Sequence, residues 1–407
     1  MPVDLTTLPQ ALKRKRAPTL KWWVVFLVLF ISLSAFINIA IWPSEKKSFD
    51  IFFWHYVLTI PFFISLFLLT MRWFYYLTSE FISEAWNNSR ECDLSNEIKR
   101  GSRTIVLAGY DVYLPHLITS VRLSEQFLLP DGIILPVVVN DKNKTVTHQA
   151  KFYDHGKDFF VRATEKITHL LSNISIQSDF SQHNKHTSIS VVINTTVLSS
   201  LNEKEITALR SNVISSLPSV SSVNFTANYS LADIDFWLDH PESTDVLLLL
   251  SVNLKEFLDD GDAEAAVALL LYSSSCADKY KISGAKIHRP ELNDDISSIK
   301  DVVSKALLWG GVSHDDIASV WLTGMGVDHK YSSFLSSHNL IFPKAEKNAE
   351  SVIIDMKSGY TENIAPWLAI ILAAENSCGD YHPQLIMSMP DKNSPPWWFV
   401  VHPSGTR

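Results

Sequence analysis

Two long apolar runs near the start of the chain distinguish it from an ordinary soluble protein. Residues 22–42 and residues 51–71 each carry no charged side chain. About 20 apolar residues are enough to cross a bilayer as a helix, and tryptophans stand at both ends of the first run, where indoles favour the membrane interface. Pro61 interrupts the second run, and a membrane helix can accommodate a proline. The pattern predicts two transmembrane helices within residues 22–77, with a pair of buried core helices as the alternative.

A different pattern begins behind a polar segment, residues 78–102, which predicts a helical stalk. Short apolar runs alternate with amphipathic segments from there to the C-terminus, as in an α/β protein whose sheet is covered on both faces. Strands or strand-like apolar runs are predicted at 103–115, 133–139, 188–197, 245–252, 264–273, 320–323, 352–356 and 397–402. Helices are predicted at 157–171, 203–217, 231–238, 299–309 and 365–375, and a polar loop at 173–187.

Charge gives the two parts a direction relative to the membrane. The net charge of −8 divides into +4 for residues 1–103 and −12 for the remainder. Lysines and arginines cluster before the first run, at 13–16, and after the second, whereas the lysines at 46 and 47 between the runs have acidic neighbours. Because basic flanks stay cytoplasmic, we expect a cytoplasmic N-terminus (1–21), a short outer loop and a cytoplasmic C-terminal domain at a bacterial inner membrane.

Possible glycosylation sites favour the opposite orientation. Sequons of the Asn-x-Ser/Thr type occur at Asn173, Asn194, Asn224 and Asn228. Glycans on these residues would require the domain to lie on the other side of the membrane. Chance occurrence in an Asn- and Ser-rich sequence is the alternative that we favour.

Composition excludes several classes of protein. The three cysteines, Cys92, Cys276 and Cys378, contain no CxxC pair, which excludes a disulfide scaffold and a cysteine-rich zinc module. Cys276 is expected to be a surface thiol and Cys378 a small core residue. A histidine pair, His183 and His186, lacks a nearby carboxylate and is expected to be solvated, so no metal is predicted. The acidic domain argues against nucleic-acid binding, and we expect no cofactor.

The order of the segments resembles the thiolase fold and, within it, the β-ketoacyl synthases. The matching stretches are 103–115, 244–254, 259–273, 281–287, 312–326, 352–375 and 397–403. They resemble, in sequence order, the family's opening strand, the strand after the nucleophile helix, a turn and strand, the next strand, the approach to the first catalytic histidine, the second histidine motif with its long helix, and the closing strand. The resemblance implies a layered α/β/α/β/α domain over residues 103–407.

The catalytic residues of that family are missing from the matching positions of this sequence. Ketosynthases use a cysteine at a buried helix N-terminus, which lowers the thiol pKa, with two histidines, or a histidine and an asparagine, as partners. The cysteine is expected about twenty residues before Asp245, where the polar side chains are only hydroxyls and amides, and the second motif has a tyrosine instead of histidine. The positions that match this degenerate site are Phe225, Thr226, Gly324, Met325, Gly326, Lys357, Gly359 and Tyr360.

A fold without its catalytic groups favours a binding role. We therefore expect a non-catalytic, membrane-anchored interaction protein whose acidic domain docks a protein partner. The layout resembles the membrane-bound accessory proteins of type VI secretion phospholipase effectors, which implies an adaptor or immunity role, with the bilayer and a secreted effector as partners. Thiolase folds also commonly form homodimers. The alternative is an acyl-transfer or acyl-binding enzyme of lipid metabolism that uses Tyr360, Lys357 and a hydroxyl near Thr226.

Overall fold

The computed structural model divides the chain into two compact units. One comprises Asp4–Glu97, and the other comprises Met1–Val3 with Ile98–Arg407. The structure describes residues 3, 8–41, 51–116, 122–129, 133–140, 145–154, 156–177, 188–217, 222–293, 298–326, 340–348, 350–389 and 394–403. The two units are described separately below.

The first unit is built from two long helices. Helix α1 covers Leu20–Ile41. A second helical stretch runs through α2 (Ile51–Trp54), a π-helical turn (His55–Thr59) and α3 (Ile60–Gly101). The π turn has a local cause, because Pro61 lacks an N–H and its ring clashes with the carbonyl four residues earlier, at Val57. The polar stalk continues the second helix without a break.

Both helices are long and apolar enough to cross a membrane. The first has 22 residues and a mean hydropathy of 2.7, and the second stretch has 51 residues and a mean hydropathy of 1.9 over its apolar window. They run antiparallel, because the start of α1 at Leu20 packs near Leu69, while the Ser34 hydroxyl donates to the Tyr56 carbonyl at 3.2 Å. The expected outer loop, 43–50, lies outside the described residues.

The second unit is an α/β domain in which each predicted apolar run contains a strand, and four further strands, at 145–148, 222–226, 291–292 and 384–388, were not predicted. The strands are β1 (Thr104–Tyr113), β2 (Val137–Asn140), β3 (Thr145–His148), β4 (Ile189–Thr195), β5 (Ser222–Thr226), β6 (Val246–Asn253), β7 (Ala265–Ser273), β8 (Ala285–His288), β9 (Glu291–Leu292), β10 (Ser319–Thr323), β11 (Ser351–Ile353), β12 (Gln384–Ser388) and β13 (Trp397–His402). The helices are α4 (Leu123–Leu128), α5 (Phe159–Gln177), α6 (Glu203–Ser216), α7 (Leu231–Asp239), α8 (Ser274–Tyr280), α9 (Ile299–Gly310), α10 (Pro343–Asn348), α11 (Asp355–Ser358) and α12 (Ala365–Asp380).

The main sheet contains the same strand arrangement twice. Among the described residues its order is β11-β10-β12-β13-β8-β1-β7-β6-β4-β5, with β9 paired to β13. In the first half, β1 to β7 without the β2–β3 hairpin, the chain order across the sheet is third, second, fourth, fifth, first. The second half, β8 to β13 without β9, repeats that order. Antiparallel pairing of β1 with β8 joins the halves.

Three apolar clusters arrange the domain in layers. The central cluster joins α7 and α12 to one face of both half-sheets, through residues such as Leu249 and Ile386. A second cluster packs α5 and α6 on the other face of the first half, and a third packs α9 and α10 on the other face of the second half. Because strand side chains alternate between faces, neighbouring β6 residues enter different clusters. The result is a helix–sheet–helix–sheet–helix architecture, as expected.

Several local expectations are corrected. Helix α5 continues to Gln177, so the predicted loop does not begin at 173. Strand β11 ends at Ile353 and Asp355 begins a short helix. Cys276 is buried and Cys378 is exposed, the reverse of the prediction, because the turn that holds Cys276 folds into α8 against the core while α12 ends near Cys378.

Candidate functional site

The N-termini of the two central helices meet in the middle layer of the domain. Helix α7 begins after Ser230, which forms a reciprocal capping box with Asp233. Helix α12 begins at Ala365, with Pro366 in its first turn, where a missing N–H costs no helical hydrogen bond. Tyr229 lies just before α7, and Trp367 lies in the first turn of α12. Their rings contact each other, with ring centroids 5.8 Å apart. Two aromatic rings therefore fill the space where the helices face each other.

A network of amide side chains surrounds this ring pair. Asn194, fully buried at the end of β4, donates from Nδ2 to the Ser251 hydroxyl at 3.2 Å and accepts at Oδ1 from the Tyr229 backbone N–H at 3.4 Å. From the turn before α12, the Asn363 Nδ2 donates to Asn194 Oδ1 at 3.4 Å and to the Ala227 carbonyl at 3.3 Å. These bonds hold the two halves together at the centre. They also leave the Asn194 sequon without an accessible amide for a glycan.

The first two predicted positions lie on opposite faces of β5. The Phe225 ring packs against the second cluster, beneath α6, where the Arg210 guanidinium lies 5.7 Å from the ring centroid. Thr226 ends the strand, and its hydroxyl accepts from the Asn228 backbone N–H at 3.2 Å. The structure therefore places Thr226 beside the central turn and Phe225 away from it.

The glycine-rich loop that follows β10 is held by a buried carboxylate. Asp355 is fully buried and accepts from the backbone N–H groups of Met325 at 2.7 Å and Gly326 at 2.9 Å. Burial raises the pKa of Asp355, and the backbone donors oppose that effect. Gly324 needs its positive φ of 88° and has no room for a side chain, because an added Cβ would lie 1.9 Å from the Met389 carbonyl oxygen. The Met325 side chain packs in the third cluster, together with α9 and α10.

Lys357 forms structural hydrogen bonds. Its ammonium donates to the carbonyls of Phe127 at 2.5 Å and Leu129 at 2.8 Å, and partial burial lowers its pKa. The Lys357 carbonyl in turn accepts from Nε2–H of His116 at 2.9 Å, and burial lowers the pKa of that imidazole. These contacts fix the segment after β1 to α11.

Gly359 and Tyr360 bridge the two halves through backbone contacts. The Tyr360 N–H donates to the Gly261 carbonyl at 2.8 Å, and the Ala263 N–H donates to the Tyr360 carbonyl at 3.0 Å. Gly359 has φ of 79°, and a Cβ there would lie 2.6 Å from the Ala263 Cβ. The short ladder requires this glycine.

Cys276 and Cys378, the two cysteines of the α/β domain, lie away from the central helix N-termini. Cys92 is exposed on α3, and Cys378 is exposed near the end of α12. Cys276 is buried in the first turn of α8, where burial and the neighbouring Asp245 charge raise the pKa of its thiol to about 11. Neither Cys276 nor Cys378 can therefore supply a thiolate to the centre.

Comparison with solved structures shows the fold of the α/β domain, whereas comparison with sequences finds no match. No protein-family profile matches the chain, and no curated protein sequence matches it. The AntDE:AntF assembly, described as a type II PKS acyl-carrier protein in complex with its ketosynthase bound to the hexaketide, has a similar structure with a TM-score of 0.52, at 10% identity, over 74% of this chain and 99% of that chain. The domain has the thiolase-like fold.

A second similar structure belongs to OleA of Xanthomonas. The cerulenin-bound protein has a TM-score of 0.47 at 14% identity and covers 74% of this chain and 99% of that chain. The assignment of the fold rests on the first comparison and on the duplicated strand order.

Within the thiolase-like fold, the predicted positions 324–326 and 357–360 are connected to each other, whereas the side chains of Phe225 and Met325 are not part of this connection. Asp355 connects the loop 324–326 to the segment 355–360, and the backbone ladder of Tyr360 connects that segment to the first half. Phe225 and the Met325 side chain stay outside this arrangement. His183 and His186 lie outside the described residues.

Sequence reasoning missed the residues that fill the centre: Asn194, Tyr229, Asn363 and Trp367. One signal was available, because Asn194 is an amide within an otherwise apolar strand run, where a buried polar group requires a partner. The partners could not be found the same way, since Asn363 is 169 positions away.

Proposed function

We propose that this protein is a membrane-anchored, non-catalytic interaction protein whose thiolase-like domain has lost ketosynthase chemistry. The observation that carries the proposal is the ring contact between Tyr229 and Trp367, which occupies the meeting point of the central helix N-termini. A ketosynthase-like reaction needs a thiolate there, activated by the helix N-terminus. Here the aromatic pair and the Asn194–Asn363 amides occupy that place.

The hydroxyl groups nearest to this point support the same conclusion. Thr226 accepts a hydrogen bond from its own turn, and the Ser230 hydroxyl donates to the Asp233 carboxylate at 3.1 Å as part of the helix cap. Both therefore serve local backbone structure. Lys357, the ammonium expected to assist an alternative enzyme, is hydrogen-bonded to two carbonyls.

The anchor part of the proposal places α1 and the α2–α3 stretch across a bacterial inner membrane. Two antiparallel helices of sufficient length and hydropathy support a hairpin with both ends on one side. The basic flanks favour the cytoplasm as that side. A domain with a net charge of −12 then faces the cytosol, where it can dock a basic partner surface.

For the partner we propose a type VI secretion effector or a component of its machinery, with this protein as adaptor or immunity protein. The support is the architecture, a two-helix anchor joined to a domain that keeps a fold without its chemistry. Affinity capture of the tagged full-length protein from native membranes, followed by mass spectrometry, tests it. Stoichiometric capture of an effector or secretion component is the expected result, and capture of acyl carrier protein would contradict it.

A separate experiment tests the loss of catalysis. Full-length protein is incubated with long-chain acyl thioesters, and its intact mass is measured. We expect an unchanged mass. A covalent acyl adduct would overturn the non-catalytic proposal and favour the alternative, an acyl-transfer or acyl-binding enzyme of lipid metabolism, and peptide mapping of the adduct would then identify the residue.

A further inference from the structure

The N-terminal segment docks along the polar extension of the second membrane helix. Asn87 clamps Leu12 from both sides, since the Leu12 N–H donates to Asn87 Oδ1 at 2.9 Å and Asn87 Nδ2 donates to the Leu12 carbonyl at 3.1 Å. Further along, Arg90 Nε donates to the Pro9 carbonyl at 2.7 Å and Trp86 Nε1 donates to the Gln10 carbonyl at 3.3 Å. Side chains of α3 thus replace the hydrogen bonds that this extended segment would otherwise make with water.

Docking holds four consecutive cations at one level of the helix pair. Residues 13–16 directly follow the clamped Leu12, and all four are exposed. The Lys15 ammonium donates to the Tyr75 hydroxyl at 2.7 Å and lies 4.5 Å from that ring's centroid. The Arg72 guanidinium lies 5.6 Å from the same centroid. Two like charges therefore converge on one aromatic ring.

This level coincides with the end of the apolar part of both helices. The apolar run of the second helix ends at Met71, and α1 begins at Leu20, only four residues after the basic run. Lys21 adds a further exposed cation there. Within the described residues, none of the cations at 13–16 forms an ion pair with a carboxylate. The converging positive charge therefore calls for an anion supplied from outside the chain.

We infer that the docked segment and Arg72 form a preassembled collar that binds the phosphate headgroups of anionic phospholipids. The collar is defined as residues 13–16, Lys21 and Arg72. Charge complementarity identifies the ligand, and the position beside the apolar runs identifies its source as the bilayer. The inference rests on the membrane insertion contained in the proposed function. It adds that headgroup selection depends on the clamp at Asn87, because the clamp fixes the cations in place.

Lipid retention in nanodiscs tests the collar. Full-length protein is reconstituted in an equimolar mixture of phosphatidylglycerol and phosphatidylcholine, and the lipids that remain bound after release from the disc are counted by native mass spectrometry. Each basic residue close to an anionic surface contributes a factor of about five in binding. We expect several-fold enrichment of phosphatidylglycerol for the natural chain, and loss of that enrichment when residues 13–16 are all replaced by glutamine.

The decisive variant leaves the charge unchanged. Asn87→Ala removes both clamp bonds next to the cations and leaves only the bonds at Pro9, Gln10 and Lys15 to hold the segment, so we expect it to reduce the enrichment at least about threefold. Asn88→Ala, at the neighbouring exposed position, is the matched control and should retain the natural ratio. Equal enrichment for Asn87→Ala and the natural chain would overturn the collar in favour of an unstructured basic tail. Equal retention of both lipids by the natural chain would also overturn it.

These outcomes are separate from the fate of the proposed function. A chain that fails to enter nanodiscs contradicts the membrane anchor itself. A chain that inserts and shows no headgroup preference contradicts only the collar. Neither result bears on whether the thiolase-like domain has catalytic activity.

Discussion

The two halves of the thiolase-like domain share a strand order but use their central helices differently. Helix α12 of the second half has 16 residues, of which 12 are buried, and it is apolar on nearly every side. Helix α7 of the first half has nine residues with four buried, and its C-terminal half carries carboxylates. A helix that is apolar all round belongs inside a core, whereas an amphipathic helix lies at its border. Duplication of the topology therefore does not require duplication of the packing.

The carboxylates of α7 form ion pairs that fix this helix in the domain. Asp235 and Asp239 each accept from the guanidinium of Arg289 at 2.6 Å, and Arg289 is fully buried. Asp239 also pairs with Arg100, in the last turn of α3, at 2.5 Å. Burial would raise the pKa of Asp239, and hydrogen bonds from both arginines lower it below its usual range. Helix α7 is therefore fixed at its C-terminal end by two arginines, as it is fixed at its N-terminal end by the cap at Ser230.

Truncation of Trp367 should have the largest effect, because it removes the first buried ring of α12. We expect Trp367→Ala to lower the free energy of unfolding by about 3–5 kcal/mol, through lost burial and the cavity that remains. The matched control is Phe236→Ala on α7, whose ring is 61% exposed and should cost no more than about 0.5 kcal/mol. Guanidinium unfolding of the detergent-solubilised full chain, followed by circular dichroism, measures both. Equal costs would contradict the assignment of α12 as the core helix.

Loss of Arg289 should be nearly as severe. Arg289→Met leaves the partly buried Asp235 and Asp239 close to each other with one cation fewer, and breaking a buried ion pair costs about 3–5 kcal/mol, which is an upper bound for these partly buried carboxylates. Lys300→Met, at an exposed position of α9, is the control and should be nearly neutral. The triple variant that also replaces both aspartates with asparagine should recover part of the loss. Failure to recover would show that Arg289 acts through packing alone.

A glycine pair then compares a close contact between the halves with an open left-handed turn. Gly359→Ala introduces a Cβ 2.6 Å from Ala263 of the first half at a φ of 79°, whereas Gly311→Ala, at a φ of 65°, meets open space. A left-handed alanine costs about 1 kcal/mol by itself. We expect Gly359→Ala to cost at least about 2 kcal/mol more than that, because the backbone ladder of Tyr360 must shift and because the ψ of 165° at Gly359 belongs to a region that only glycine readily adopts. Equal costs in the same unfolding measurement would remove the argument from close contact.

Prediction from sequence succeeded where the pattern is local. The run that forms β6 is apolar from Val246 to Leu250 and lies within about one residue of its predicted range, 245–252, and β13 matches its predicted range, 397–402. The end of α9 was visible in the glycine pair after Trp309, and Gly311 indeed adopts the left-handed cap. Failure came where tertiary packing decides: α5 extends to Gln177, and Cys276 is buried although its sequence neighbours are polar.

The contacts at the centre of the domain could not be predicted from the sequence of each segment alone. The duplicated strand order leaves no visible sequence repeat, since apolar residues of many kinds can fill equivalent layers. Tyr229 and Trp367 meet only because the two half-sheets place α7 and α12 in one layer. The motif comparison matched Lys357, Gly359 and Tyr360 to the second histidine motif, and their place on the segment that bridges the halves emerged only from the structure.

The smallest effect concerns a histidine pair that belongs to the second half alone. His288 on β8 and His402 on β13 lie with ring centroids 4.7 Å apart, and their ring N–H groups donate to the carbonyls of Trp309 and Gly310 at 2.9 Å each. Burial, together with the neighbouring His402, lowers the pKa of His288 to about 3. Both imidazoles thus stay neutral in the folded chain and hold the last turn of α9.

The pH dependence follows from that depressed pKa. An unfolded histidine has a pKa near 6.5, so the stabilisation is complete above that value and is lost as the pH falls from about 6.5 towards about 3. Between pH 7 and pH 5 the free energy of unfolding should fall by about 2 kcal/mol on account of His288. His288→Asn keeps a donor near the Nδ1 position and does not titrate, so it should flatten the slope in this range, while His240→Asn, which changes an exposed histidine of the first half, should leave it as it was. An unchanged slope in His288→Asn would mean that the second half contributes no acid sensitivity of its own, and the two halves would then differ in packing only.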